Sequence, residues 1–176
     1  MSSEYRLERV RQTLEEMFLE RGYRDVERTE TGRVMAKKEG DIIVCGFTTL
    51  IVKLNVSEIH NIIGVMQKEN LKHGIIVFEG MPTPAVKNVM MNIAELGLNI
   101  ELFCADDLQF NITLHRLVPR HIRMGKEESK EFKQKYGTDI PVLMRSDPVA
   151  RFYDFQKGEV VKVVRKNGFV SYRIVR

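Results

Sequence analysis

Residues Ser146–Arg176 read SDPVARFYDFQKGEVVKVVRKNGFVSYRIVR, and their pattern decides how the second half of the chain folds. Asp147 before Pro148 marks a helix start. The carboxylate can accept hydrogen bonds from free backbone N–H groups, and proline at the first helical position gives up none. The helix is expected from Pro148 to about Asp154, stopping near Lys157-Gly158. Two β-rich runs follow, Glu159 to Arg165 and Phe169 to Val175, joined by Lys166-Asn167-Gly168. Asn-Gly is a strong hairpin signal, because both turn residues must tolerate positive φ. In the first run Val161 and Val163 alternate with Val160, Lys162 and Val164. One face is therefore expected to pack on helices and the other to meet a partner.

Outward from this hairpin, Ile140 to Met144 reads as extended, and Pro141 puts it at a sheet edge. Lys126 to Tyr136 is a highly charged helix, apolar chiefly at Phe132 and Tyr136, and Gly137 ends it. Ile112 to Val118 reads as a strand broken by Pro119, and Asp106 to Phe110 as a hinge. Mixed short strands and helices make this an α+β unit over residues 111–176.

The front of the chain has a different rhythm. Leu7, Val10, Leu14, Met17 and Phe18 recur at helical spacing from Tyr5 to Glu20, and Gly22 suits a helix end. Arg33 to Lys37 is a weak strand, whereas Asp41 to Phe47 and Thr49 to Leu54 are strong ones. Their near-continuous apolarity argues burial on both faces. Ser57 is expected to cap a helix over Glu58 to Asn70, with Ile59, Ile62, Ile63 and Met66 on one face. Gly74 to Glu79 is another buried strand. Thr83 and Pro84 read as N-cap and first residue of a helix reaching Leu96 and ending at Gly97. Asn99 to Cys104 adds a last strand. Alternating strands and helices predict an α/β unit with parallel pairs over residues 1–106.

Composition is ordinary for a globular protein: 176 residues, 43% hydrophobic, 30% charged, net charge +4. No apolar run approaches a membrane span, and the charged, periodic start does not read as a secretory signal. Cys45 and Cys104 sit in β-like runs and read as free thiols. Charge is uneven. His115 to Arg176 carries 15 Lys and Arg against 7 Asp and Glu, and the remainder 13 against 17. A basic C-terminal part faces nucleic acid or an acidic protein, or is simply a solvated face.

The motifs D-P-V-A-R, K-G-x-V-V-K-x-x-R and Y-R-I-V comprise Asp147, Pro148, Val149, Ala150, Arg151, Lys157, Gly158, Val160, Val161, Lys162, Arg165, Tyr172, Arg173 and Val175. Upstream, N-I-T-x-H-x-L-V-P-x-H is met by Asn111, Ile112, Thr113, His115, Leu117, Val118, Pro119 and His121. In this order the two blocks resemble the C-terminal assembly domain of the fifth common subunit of eukaryotic nuclear RNA polymerases. The archaeal counterpart of that subunit is essentially this domain alone. Tyr5-Arg6-Leu7, Arg21-Gly22-Tyr23, GIIVFEGMPTPAVKN and DDLQFNIT extend the resemblance toward the N-terminus. It is weakest between Glu27 and Leu50. The loop before DPVAR and the hairpin turn are shorter than in the family, which fits a divergent lineage such as a large DNA virus with its own polymerase.

The resemblance implies a restriction-endonuclease-like, non-catalytic N-terminal jaw domain and a C-terminal assembly domain. It implies docking on the largest polymerase subunit and neighbouring subunits through His115, His121, Asp147, Pro148, Arg151, Lys162, Arg165, Tyr172 and Arg173. It also puts Thr83, Pro84, Ala85 and Lys87 near downstream double-stranded DNA. A helix N-terminus favours phosphate, and Lys87 adds a cation, with Lys72 or His73 expected near. Such contacts would position without reading sequence. Arg165 and Arg173 are expected across the hairpin from each other, and Arg151 either docks or pairs with Asp147 or Asp154.

A nuclease of this fold needs paired carboxylates and a lysine around a metal. Asp41 and Lys53 have the spacing, but Ile51 stands where the second carboxylate belongs. The four histidines show no zinc spacing, and no nucleophile elbow, Walker loop or Rossmann fingerprint occurs. The reading is a subunit without catalytic residues, cofactor, metal or membrane contact. Its compartment is the nucleus in a cell, or a viral factory or virion in a virus. The alternatives are a free-standing nuclease-fold enzyme and a DNA-binding regulator.

Overall fold

The structure is a computed structural model that describes residues 3–40, 42–51 and 54–176. The chain divides into two compact units, Met1–Phe110 and Asn111–Arg176.

The first unit opens with α1 (Ser3–Glu20), which buries Val10, Leu14, Met17 and Phe18 along one stripe. It ends where Gly22 adopts φ 82°, and the Tyr23 N–H reaches back to the Phe18 carbonyl at 2.9 Å. That six-residue closure satisfies a carbonyl the helix leaves open. There follow β1 (Arg24–Arg28), β2 (Val34–Lys38), β3 (Ile42–Ile51), α2 (Val56–Lys68), β4 (His73–Phe78), α3 (Pro84–Asn92) and β5 (Asn99–Cys104). Turns of 3₁₀ helix flank β5 at Ile93–Leu96 and Ala105–Leu108. The sheet runs β1-β2-β3-β4-β5, antiparallel over the first three strands and parallel over the last three.

Several expectations change here. The charged run RDVER has no apolar alternation, so nothing in it predicts a strand. Yet β1 forms there, an edge strand held by pairing to β2 and by Arg28 bonded to Glu8 and Glu15 of α1. Among the described residues, the two runs expected on either side of Thr48 join in one strand, Ile42–Ile51. Thr48 is buried, and its hydroxyl donates to the Gly32 carbonyl, so the polar residue does not interrupt β3. The cap of α2 is Asn55, not Ser57: the Asn55 carboxamide oxygen accepts from the Glu58 N–H at 3.0 Å. Asp106 and Gln109, within the stretch Asp106 to Phe110 expected as a hinge, are tied to α1. Arg6 bonds Asp106 at 2.7 Å, and Arg9 donates to the Gln109 carbonyl at 3.0 Å.

Two glycines set how closely the helices approach the sheet. A Cβ on Gly46 would lie 2.9 Å from a Leu14 methyl, and one on Gly74 would lie 2.9 Å from the Met66 sulfur. Thus α1 lies over one face of the sheet and α2 over the other, where Met66 joins Ile59, Ile62, Ile63, Phe47, Ile76 and Val86 in a shared core.

One end of β4 and β5 carries a buried polar network. Arg21 forks onto Glu101 through two bonds of 2.7 and 2.9 Å, His73 Nε2 meets the same carboxylate at 2.8 Å, and the Tyr23 hydroxyl meets His73 Nδ1 at 2.9 Å. Burial pushes the Glu101 carboxyl up, but the bonds from His73 and Arg21 outweigh it and bring it from 4.5 down to about 2.

The second unit comprises β6 (Arg120–Arg123), α4 (Lys126–Tyr136), β7 (Val142–Leu143), α5 (Pro148–Phe152), β8 (Val160–Val164) and β9 (Val170–Val175). Its sheet runs β6-β8-β9-β7, with β7 at an edge and parallel to β9. The strand expected over Ile112 to Val118 is a 3₁₀ turn at Ile112–Leu114 followed by a further turn. Asn111 captures the Thr113 N–H at 3.0 Å and the Thr113 hydroxyl at 2.6 Å, and this local bonding outcompetes a ladder. The strand lies just beyond it, after Pro119. In the hairpin only Gly168 takes positive φ, 81°, and Asn167 does not. The Gly168 N–H bonds the Arg165 carbonyl, and the Arg165 N–H bonds the Phe169 carbonyl, both at 2.9 Å. That is a three-residue loop with glycine in the left-handed position, not a two-residue turn.

Gly46→Ala is expected to destabilise the protein by about 1–3 kcal/mol and Gly74→Ala by less, because the branched Leu14 is fixed in the core while Met66 can swing aside. Urea unfolding of both variants checks the order. Glu101→Gln is expected to cost about 3 kcal/mol at pH 7, since it leaves Arg21 buried without its charge partner. The depressed Glu101 carboxyl contributes stability above its ordinary 4.5, lost as pH falls toward about 2. Unfolding between pH 7 and pH 2 should accordingly show a smaller acid loss in the variant.

Candidate docking and nucleic-acid interfaces

In the second unit the register sorts the side chains onto two faces. Val161, Val163 and Val175 point to one face, where they form a core with Leu143, Ala150 and Phe155, and Tyr153 packs against it. Val160, Lys162, Tyr172 and Ile174 take the other face. There Phe132 of α4 packs against Tyr172, the rings tilted by 35° with centroids 4.5 Å apart. Both faces are thus partly covered from within the unit, which refines the expectation of one packed face and one for a partner.

Asp147 caps α5 as expected: its carboxylate accepts from the Val149 N–H at 2.8 Å, and Pro148 takes the first helical position. The helix ends at Phe152, short of Asp154, because Asp154 adopts φ 51°. The half-buried Arg151 lies on this helix, with its N–H on the Asp147 carbonyl at 2.9 Å.

His121 of β6 lies on the α5 side of the sheet, opposite Val163. Its Nδ1–H donates to the Pro119 carbonyl at 2.8 Å. Burial pushes this imidazole below its ordinary value and Arg173 adds to the depression, while the Pro119 carbonyl and Asp147 oppose it. His121 and Arg173 share this face of the sheet, and Asp147 and Arg173 each act on the His121 imidazole. Arg173 also reaches the Val142 carbonyl at 3.3 Å.

The remaining candidates are elsewhere. Lys162 and Tyr172 are cross-strand partners on the α4 face. Arg165 is exposed at the turn and Arg173 is opposite Val161, so the two arginines do not face each other. His115 is exposed, and its Nδ1 accepts from the Leu117 N–H at 3.3 Å.

Arg123 is a residue that the sequence motifs do not single out. It bonds Glu159 at 3.2 Å and the Tyr153 and Asp154 carbonyls at 3.0 and 2.8 Å, and its guanidinium stacks over Phe155. It ties the end of α5 to the sheet. Its sequence signal is weak, because its partners are about 30 residues away.

In the first unit Thr83 caps α3, its hydroxyl accepting from the Val86 N–H at 3.4 Å. The Lys87 N–H bonds the Thr83 carbonyl at 3.2 Å, and Pro84 has no N–H. Among the described residues, this leaves the Ala85 N–H and the exposed Lys87 ammonium for an anion. His73 is not near them. It is buried in the Glu101 network at the start of β4, whereas Thr83 follows that strand's far end. Asp41 and Lys53, weighed above as parts of a metal site, lie outside the described residues. Among those residues no group of three His, Cys, Asp or Glu side chains could hold a metal, and no helix is long and apolar enough to cross a membrane. Cys45 is a buried free thiol, pushed up to about 11 chiefly by burial.

The second unit is a four-stranded sheet with short helices and several exposed apolar side chains. Residues 110–175 match the family model described as RNA polymerase Rpb5, C-terminal domain. The C-terminal unit of this chain belongs to that family. "Putative DNA-directed RNA polymerase subunit 454R" of Invertebrate iridescent virus 6 is 39% identical over 113 residues, covering 57% of this chain and 60% of the viral one. Subunit RPABC1 of DNA-directed RNA polymerases I, II, and III from Caenorhabditis elegans is 33% identical over 130 residues, covering 70% and 61%. Its Dictyostelium discoideum counterpart is 33% identical over 130 residues, covering 69% and 66%. The chain thus spans less than two thirds of the length of these relatives. The resemblance read from the two motif blocks is the one the comparisons return.

Asp147→Ala is expected to lower stability by about 1 kcal/mol through loss of the α5 cap, with the chain still folded. A shift in urea midpoint at unchanged slope checks it.

Proposed function

We propose that this chain is a non-catalytic subunit of a multisubunit DNA-directed RNA polymerase. The observation that carries the reading is the match of residues 110–175 to a polymerase-subunit domain. The second unit anchors the chain to the largest subunit and neighbouring subunits. Its exposed Leu114, Leu117, Met144 and Phe169 support this, since a unit this small gains by covering such side chains with a partner. The His121, Asp147 and Arg173 cluster and Arg151 give the anchor its polar contacts, and Lys162, Arg165, Tyr172 and His115 extend it.

The first unit reaches toward downstream double-stranded DNA. Thr83, Pro84, Ala85 and Lys87 lie along the sugar-phosphate backbone and position it without reading sequence. Its mixed sheet supports the restriction-endonuclease-like reading, and Ile51 at the expected carboxylate position supports a non-catalytic role. Transcript synthesis belongs to the assembled polymerase. The compartment is that of the polymerase: the nucleus for a cellular enzyme, a factory or virion for a viral one.

The test is affinity capture of tagged full-length chain from its source, with mass spectrometry of the co-purifying chains. The largest polymerase subunit is expected in the eluate, and Arg151→Glu should reduce its recovery about tenfold or more. A melting temperature near that of the native chain excludes simple unfolding of the variant. Native chain that recovers no large polymerase subunit overturns the assignment, and undiminished recovery by the variant removes Arg151 from the docking surface.

A further inference from the structure

The second unit contains a groove of about 580 Å³ lined by Met124, Lys126, Ser129, Lys130, Lys133, Gln134, Lys157, Gly158 and Glu159. Four lysines meet one acid there. Lys126, Lys130 and Lys133 follow at i, i+4 and i+7 along α4, so they share one helix face over about 10 Å of rise. Lys157 joins them from the turn before β8. The acid is already engaged: Glu159 pairs with Arg123 at 3.2 Å and accepts from the Gln156 N–H at 2.9 Å. Lys133 is engaged too, donating to the Gly158 carbonyl. Lys126, Lys130 and Lys157 are exposed and make no ion pair among the described residues, although α4 also carries Glu127, Glu128 and Glu131.

We propose that this groove docks an acidic peptide segment of a partner protein, with Asp or Glu side chains meeting Lys126, Lys130 and Lys157. Charge complementarity selects the sign of the occupant. Its lining selects the class. Its lining has no aromatic ring on which a base could stack, which single-strand binders use to gain affinity. The lysine stems give an extended peptide apolar surface to lie on. This site is separate from the His121, Asp147 and Arg173 cluster and does not depend on it.

Fluorescence anisotropy of the full chain with a fluorescein-labelled decaglutamate peptide, and with a labelled decathymidylate, tests the proposal. The native chain is expected to bind decaglutamate more tightly than decathymidylate, and more weakly as salt rises. Lys130→Glu with Lys157→Glu should weaken decaglutamate binding about tenfold or more, and Lys130→Gln with Lys157→Gln should weaken it by a smaller factor in the same direction. Lys135→Glu with Lys166→Glu makes the same change in net charge outside the groove and should stay within about twofold of native. All four lysines are exposed, and circular dichroism and melting temperature verify that each variant folds. The proposal is overturned if the native chain does not bind decaglutamate, or if the control pair loses as much affinity as the groove pair. It is overturned equally if decathymidylate is the tighter ligand and is the one lost from the groove variants.

Discussion

A carboxylate inside the first unit constrains everything around it. Glu101 sits on β5 with Arg21 forked onto it and His73 bonded to the same group. Such a charge is costly to bury unless its partners are in place, so the end of α1, the start of β4 and the middle of β5 must arrive together. Arg21 and Glu101 are 80 positions apart, which makes this bond a statement about the whole unit rather than one loop. Gly46 and Gly74 act in the same direction through shape, letting Leu14 and Met66 press onto opposite faces of the sheet. Polar satisfaction at one end and close helix approach across the middle leave the far end of β4 to present Thr83 and α3.

The second unit solves a similar problem with less material. Its sheet packs α5 and Phe155 on one face and α4 on the other, and Arg123 bridges from β6 to the end of α5 through two carbonyls and Glu159. What remains outside is chemically divided. Apolar side chains cluster in sequence around the turn at residues 112–118 and at the hairpin tip, His121 and Arg173 share the α5 face of the sheet, and lysine charge collects beside α4.

Much of this was legible in order along the chain. The 3.6-residue spacing of Val10, Leu14, Met17 and Phe18, the Thr83-Pro84 start of α3, the Asp147-Pro148 start of α5 and the final hairpin all appear where local chemistry puts them. These features depend on residues within about one helical turn of each other. The misreadings share a cause. β1 exists because β2 and the glutamates of α1 hold it, and nothing in RDVER announces that. Asn55 rather than Ser57 caps α2, and Asn111 folds Ile112 to Leu114 into a turn, because a side-chain acceptor two or three residues away decides between near-equal local states.

The candidate site divides along the same line. Two motif blocks in the right order were enough to indicate a polymerase-subunit domain, since the spacing of caps, turns and charged residues is a linear property of the chain. Which of those residues meet was not linear. Arg173 faces Val161 rather than Arg165, and Lys162 and Tyr172 lie on the opposite face from His121, because strand register and the two-residue alternation assign each side chain to a face. His73 looked available to a ligand and is instead committed to Glu101 and Tyr23. Sequence alone determined most of the elements that form and what kind of unit they build. Only the tertiary structure decided which charges are already spent on internal partners, because an ion pair depends on distance in space and not on separation along the chain.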